Sequence, residues 1–325
     1  MPGTFGRLAA DGARAVAANR CFLYVWRAGR RRGTVLRGCR RVGPNLDSRL
    51  DEFALAGKRI AWMREETASH GFLLQSELMV KAPGTHTREV ASAYQEYGEG
   101  GLLWTLAGAG DTLAFGWTSQ SADAEGVPVY EDQAYRLASW AAAPGAVACP
   151  AADGLLPSPP TPPWCVAAGT EESHVVAVAG GRILLGDLDG EGSLVEPDGA
   201  VHVVPLQQYR RGDALALTRE RVLVLDSKKL WTYDLSGDAA GAWATGSRAT
   251  ALSVGGRFAL YRIRHHWFLL RLSAGSGYAS LLRARGGRRI VAASLTSAGL
   301  FFLYRPSRKH ERLAYVPSAR LRSTP

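Results

Sequence analysis

The chain has 325 residues, 46% of them hydrophobic, with 37 glycines and 16 prolines spread through it and a formal net charge of +10. That mixture excludes a disordered polyelectrolyte and a collagen-like repeat, and no run of about 18 apolar residues is present to cross a membrane as a helix. Of the 39 basic residues only Lys58, Lys81, Lys228, Lys229 and Lys309 are lysine. The arginines read as an arginine-for-lysine surface bias, dispersed apart from Arg30, Arg31 and Arg32 with Arg37, Arg40 and Arg41. Nucleic acid is therefore not the expected partner.

From the N-terminus, residues 1–20 lack the apolar core of a signal peptide, because Asp11 and Arg14 interrupt the Ala-rich stretch. The first element is a pair of short apolar runs around a turn, RLAADGARAVAA (7–18). The same template returns as ALAGKRIAWM (54–63), WTLAGAGDTLAFGW (104–117), VVAVAGGRILLGD (175–187), LALTRERVLVLD (215–226), LSVGGRFALYRI (252–263) and AASLTSAGLFFLYR (292–305). Glycine at such a turn takes φ > 0 without a Cβ clash, so each copy predicts a hairpin.

The turn markers Gly12, Gly57, Gly110, Gly181, Glu220, Gly256 and Gly299 are spaced by 45, 53, 71, 39, 36 and 43 residues. About 40 residues per copy is the length of a four-stranded propeller blade. Third strands follow with aromatics, as in Phe22–Trp26, Leu230–Tyr233 and Trp267–Leu270, and more polar fourth strands at Thr34–Leu36, His202–Val204 and Ala279–Leu282. Inner runs such as Arg221–Leu225 are apolar at every position after the first, which suits a sheet packed on both faces. The sequence thus predicts an all-β fold: a seven-bladed β-propeller of mostly four-stranded antiparallel blades, one domain over residues 1–325. A Pro-rich inserted loop at about 150–164 explains the long interval and is placed between blades three and four. Ring closure predicts that Thr4–Ala10 lies beside the last blade, which then has three strands or a borrowed outer one.

The four cysteines fall as two local pairs. Cys21 opens a third strand and Cys39 follows the fourth, so antiparallel pairing brings their ends together; Cys149 and Cys165 bracket the Pro-rich segment. Two disulfides are expected, and with them an extracytoplasmic home; four thiols in a cytoplasmic protein is the alternative.

No catalytic, cofactor-binding or metal-ligating residue emerges. His265 and His266 are adjacent, and neighbours on a strand point to opposite faces, so they read as turn residues. Asp51–Glu52, Glu65–Glu66, Glu171–Glu172 and Asp187–Asp189 could serve glycoside hydrolysis as paired carboxylates, but each falls at a predicted turn or loop. Ser236–Trp243 departs from the Asp-box of sialidase-like propellers and reads as a turn.

With its seven copies and aromatic third strands, VWRA (25–28) and WTYD (231–234), the chain resembles WD40-like and TolB-like propeller repeats. The resemblance implies a non-enzymatic binding scaffold, monomeric, holding a protein or small ligand at the central channel mouth and the loops around it. The alternative is a propeller hydrolase or lyase acting on carbohydrate or peptide.

Overall fold

The computed structural model describes residues 5–40, 46–68, 73–96, 99–122, 128–137, 165–168, 174–186, 191–206, 208–210, 213–226, 228–272, 279–284, 286–307 and 310–321. All sheets are antiparallel meanders. The first holds β1 (Arg7–Asp11), β2 (Arg14–Ala18), β3 (Phe22–Arg27) and β4 (Thr34–Arg37). An eight-stranded sheet follows, with β5 (Leu46–Ala56), β6 (Arg59–Ala68), β7 (Leu73–Lys81), β8 (Arg88–Glu96), β9 (Glu99–Ala109), β10 (Thr112–Ala122), β11 (Pro128–Leu137) and β12 (Cys165–Ala168) in chain order.

Three four-stranded sheets come next: β13 (His174–Ala179), β14 (Arg182–Gly186), β15 (Gly192–Val195) and β16 (Val201–Val204); β17 (Ala214–Leu217), β18 (Arg221–Leu225), β19 (Lys229–Asp234) and β20 (Ala239–Ala244); β21 (Ala249–Gly255), β22 (Phe258–Ile263), β23 (His266–Arg271) and β24 (Ala279–Leu281). The last sheet has β25 (Ile290–Leu295), β26 (Gly299–Ser307) and β27 (His310–Pro317), and a single 3-10 turn at Ser318–Arg320 ends the described chain.

All seven sequence hairpins are present, as β1–β2, β5–β6, β9–β10, β13–β14, β17–β18, β21–β22 and β25–β26. The seven separate blades are not. Five sheets are blade-sized, while β5–β12 form one continuous sheet. The join is short: Gln95 and Glu96 of β8 pair with Gly100 and Glu99 of β9. Gly100 makes it possible, at φ 113° with Tyr94 O only 2.4 Å from where a Cβ would stand. The two halves of this sheet nonetheless pack face to face, Met63 and Leu78 against Leu113, Phe115 and Trp117.

The core lies between successive sheets. Val16 and Leu23 meet Leu55 and Trp62; Ala114 and Ala134 meet Val178 and Ile183; Leu184 and Val204 meet Leu217 and Val222; Leu223 and Leu230 meet Ala259 and Leu270; Leu260 and Leu269 meet Leu295 and Leu300. Middle strands such as β2 and β18 are apolar on both faces because each face abuts another sheet. Last meets first at a seam where Phe5, Ala17, Ala292 and Leu303 form a buried cluster. Strand β1 lies beside β25 and also opens the first sheet, and the last sheet has three strands among the described residues. Thr4 is outside the described residues.

The Pro-rich segment at 150–164 is also outside them, but its position in the chain needs correcting. Cys165 to Ala168 form β12, which pairs with β11 through Gln133–Ala168, Ala134–Ala167 and Tyr135–Cys165. The segment therefore connects two strands of one sheet, rather than two blades. Four residues of strand directly after a proline run had no readable alternation.

Candidate functional site

The inner strands β1, β5, β9, β13, β17, β21 and β25, each beside the next, surround a channel of about 1710 Å³. Small aliphatic and hydroxyl side chains make its wall, among them Ala10, Ala107, Ala177, Ser253 and Ser294. At one mouth stand the first turns of the hairpins, with Asp11, Gly57, Gly110, Arg182, Arg219 and Thr296 on or beside them.

The polar groups of this rim bind one another. Asp11 Oδ2 accepts from the backbone N–H of Gly57 at 2.6 Å and of Gly110 at 2.9 Å, tying three turns through one carboxylate. Gly57 sits at φ 56°, and a Cβ there would stand 2.8 Å from Gly110 O. Arg14 Nη1 donates to Gly57 O at 2.7 Å; burial lowers its pKa, with Asp11 opposing. Arg182 Nε donates to both carboxylate oxygens of Glu196 at 2.8 Å, and its Nη1 donates to Arg219 O. Thr296 Oγ1 donates to Gly12 O at 2.8 Å, closing the rim across the seam.

Asp51 and Glu52 lie on β5, at a bulge between Leu50 and Phe53, not in a loop. Arg7 donates to the carbonyls of Leu50 and Asp51 there. Burial and then the Asp51 charge push the Glu52 carboxyl up, against the pull of Arg7. Glu65 and Glu66 are likewise on a strand, β6: Glu65 takes Arg49 in a fork at 2.7–2.9 Å, and Glu66 is buried. Their predicted loop setting is thus overturned, because ion pairs across the sheet let carboxylates sit in a packed strand. Glu171–Glu172 and Asp187–Asp189 lie outside the described residues. His265 is in the β22–β23 turn and His266 begins β23, both exposed. Ser236 and Gly237 form a turn in which Asp234 Oδ1 accepts from Ser236 and Asp238.

One charged cluster was missed. Glu77, 1% exposed, accepts from Arg64 and from Gln75 Nε2 at 3.1 Å, and pairs with Arg40 Nη2 at 3.1 Å. Glu66 Oε1 stands 3.4 Å from Arg64 Nε and 3.7 Å from Arg40 Nε. Burial, then the nearby Arg40, lowers the Arg64 pKa. The available signal was an acid set among apolar neighbours, LLQSELMVK, at a position where only a buried partner makes an acid tolerable.

Arg40 follows the disulfide that ties Cys21 to Cys39, their Cα atoms 4.9 Å apart. Closing 18 residues, it should contribute about 3 kcal/mol. Intact mass with and without reductant checks the bond, and a Cys21→Ser/Cys39→Ser variant should lose that much in a urea titration. An unmodified, alkylatable Cys21 in the unreduced protein would contradict it. Cys149 is outside the described residues, and the Cys149–Cys165 pairing with it.

Among the described residues no three His, Cys, Asp or Glu side chains group as a metal site, and no helix is long and apolar enough to cross a membrane. No family model matches the chain, and no curated protein does. Solved structures do. A chain of the mitotic checkpoint complex aligns over 97% of this chain and 90% of its own, at 11% identity and TM-score 0.55. The Pyrococcus furiosus trilobed protease β-propeller domain, described as having an open velcro topology, aligns over 96% and 93% at 10% identity and TM-score 0.53. Kluyveromyces lactis Hsv2 aligns over 97% and 98% at 8% identity and TM-score 0.51. At these identities the likeness is one of architecture, and by that architecture the chain is an all-β propeller.

Proposed function

We propose that this chain is a non-enzymatic binding propeller. It is one domain over residues 1–325, monomeric, and takes a ligand or partner at the channel mouth and the loops between blades. In this reading β5–β8 and β9–β12 count as two blades joined at an outer edge, so the ring has seven. The seven inner strands around the channel and the packed interface between the halves of the long sheet support that count. The Cys21–Cys39 disulfide supports an extracytoplasmic location, and Cys149–Cys165 is proposed as a second bridge.

The observation that carries the binding role is the state of the rim. Asp11, Arg182 and Thr296 are engaged in holding turns together, and the wall behind them is a mixture of small aliphatic and hydroxyl side chains with Phe53 and Trp267. Such a surface offers shape and apolar contact, without a convergent acid–base pair. A second reading, a propeller hydrolase or lyase acting on carbohydrate or peptide, draws on Asp51 and Glu52, where a raised carboxyl stands beside a second acid.

Screening small molecules and short peptides by ligand-observed NMR tests the proposal, with Ser294→Trp as a channel-filling variant checked for an unchanged unfolding midpoint. Ligands of the wild-type protein should be lost in the variant. Ligands indifferent to it would place binding elsewhere. Turnover of a glycoside or peptide that Glu52→Gln abolishes would establish the second reading instead.

A further inference from the structure

The charge of this chain is not dispersed once the ring is closed. Residues 12–46 hold nine arginines and no acid, and residues 239–325 hold fifteen basic residues and one acid, Glu311. Those two segments meet at the seam, where β1 lies beside β25. Glu311 is buried there, accepting from Arg305 Nε at 2.7 Å and from the Phe5 N–H. The remaining chain, residues 47–238, has 27 acids against 14 basic residues. In chain order, therefore, the segments that meet at the seam are strongly basic and the stretch between them is acidic.

At that seam, among the described residues, the last sheet ends at β27, three strands out, while the first sheet continues to a fourth. Phe22, Tyr24 and Trp26 share one face of β3 by alternation. That face meets the last sheet, since Trp26 packs edge-on to Phe301 at 6.1 Å and Tyr24 packs in the same cluster as Leu313 of β27. Val35 stands opposite Tyr24 and Arg37 opposite Phe22 on β4. Beyond the reach of β27 this face is uncovered, with Phe22 40% and Val35 43% exposed. Arg37 stands beside Phe22, and Arg30, Arg31 and Arg32 lie in the β3–β4 connection at the other end of the strand pair, all exposed and in no ion pair among the described residues.

We propose that this seam receives an extended acidic segment of a partner protein, added to the open edge of β27 as a fourth strand. Its backbone pairs with β27, its apolar side chains cover Phe22 and Val35, and its carboxylates meet Arg37 and the arginine triplet. An extended strand fits the observations better than a nucleic acid, because an open strand edge and exposed valine and phenylalanine have no counterpart in a phosphate backbone. A second copy of this chain would bring one basic edge against another, and like charges in an interface cost several kcal/mol.

Panning a phage-displayed random peptide library against the full chain tests this, followed by titration of the selected peptides after synthesis. The selected sequences should alternate apolar residues with Asp or Glu and slow amide exchange across residues 310–317. Val35→Glu and Arg37→Glu should each weaken them at least about tenfold, while Val203→Glu, an exposed valine on β16, leaves affinity unchanged. Four results would overturn the proposal: no selected binders, selected peptides without acids, affinity indifferent to Val35→Glu, or self-association that Val35→Glu abolishes. A duplex DNA oligonucleotide that binds at physiological salt and displaces the peptides irrespective of Val35→Glu would also do so, assigning the surface to phosphate.

Discussion

Phe5→Ala should lower the unfolding free energy by about 3–5 kcal/mol, the range for removing a large buried aromatic. Phe5 precedes β1 and is 0% exposed, in the cluster with Ala17, Ala292 and Leu303 that joins the first and last sheets. Its ring lies 6.3 Å from that of Tyr24, and its N–H donates to Glu311. The described strands of the first and last sheets do not hydrogen-bond to each other, so the seam depends on such packing. A cavity there loosens both sheets at once. Urea titration followed by tryptophan fluorescence measures it; a loss below about 1 kcal/mol, the size of an ordinary point-mutation effect, would contradict it.

Glu77→Ala should cost a similar amount, about 3–5 kcal/mol, because it leaves the buried Arg64 guanidinium without its closest carboxylate. Arg64 is 8% exposed, Glu66 is its remaining near acid at 3.4 Å, and Arg40 adds a second positive charge. Replacing both partners, Arg64→Met with Glu77→Leu, removes the buried charges together and should lose much less than Glu77→Ala alone. Strict additivity of the two single losses in the same titration would show that the pair is not coupled.

The hairpins were legible because each inner strand runs through a few apolar residues into a turn with glycine or, at Glu220, an exposed polar residue. That pattern is a local consequence of packing a narrow strand beside a channel. Strands β7, β8 and β12 were not legible. Glu77 and Gln75 break the apolar signal of β7; Glu77 is acceptable there because Arg64 and Arg40, 13 and 37 residues distant, reach it in three dimensions, and Gln75 donates to it. The merging of β8 with β9 depends on Gly100, whose unusual backbone is invisible in a window of alternating residues. Asp11 ends β1 just before the Gly12 turn, and its carboxylate holds two other turns, a role that needs the ring. The charge asymmetry was present in the residue order; reading the arginines as scattered missed it because the two basic segments are neighbours only after closure.

Closure is the claim on which the channel, the seam and the basic surface all depend. It is tested most directly by cross-linking Ala13→Cys to Ser297→Cys, exposed positions next to Gly12 and Thr296, whose O and Oγ1 are 2.8 Å apart. In a background with Cys149 and Cys165 replaced by serine, a short bifunctional maleimide should join the two within a single chain, giving one linked peptide at monomer mass. Absence of that peptide, or links formed only between chains, would mean that the first and last sheets do not meet.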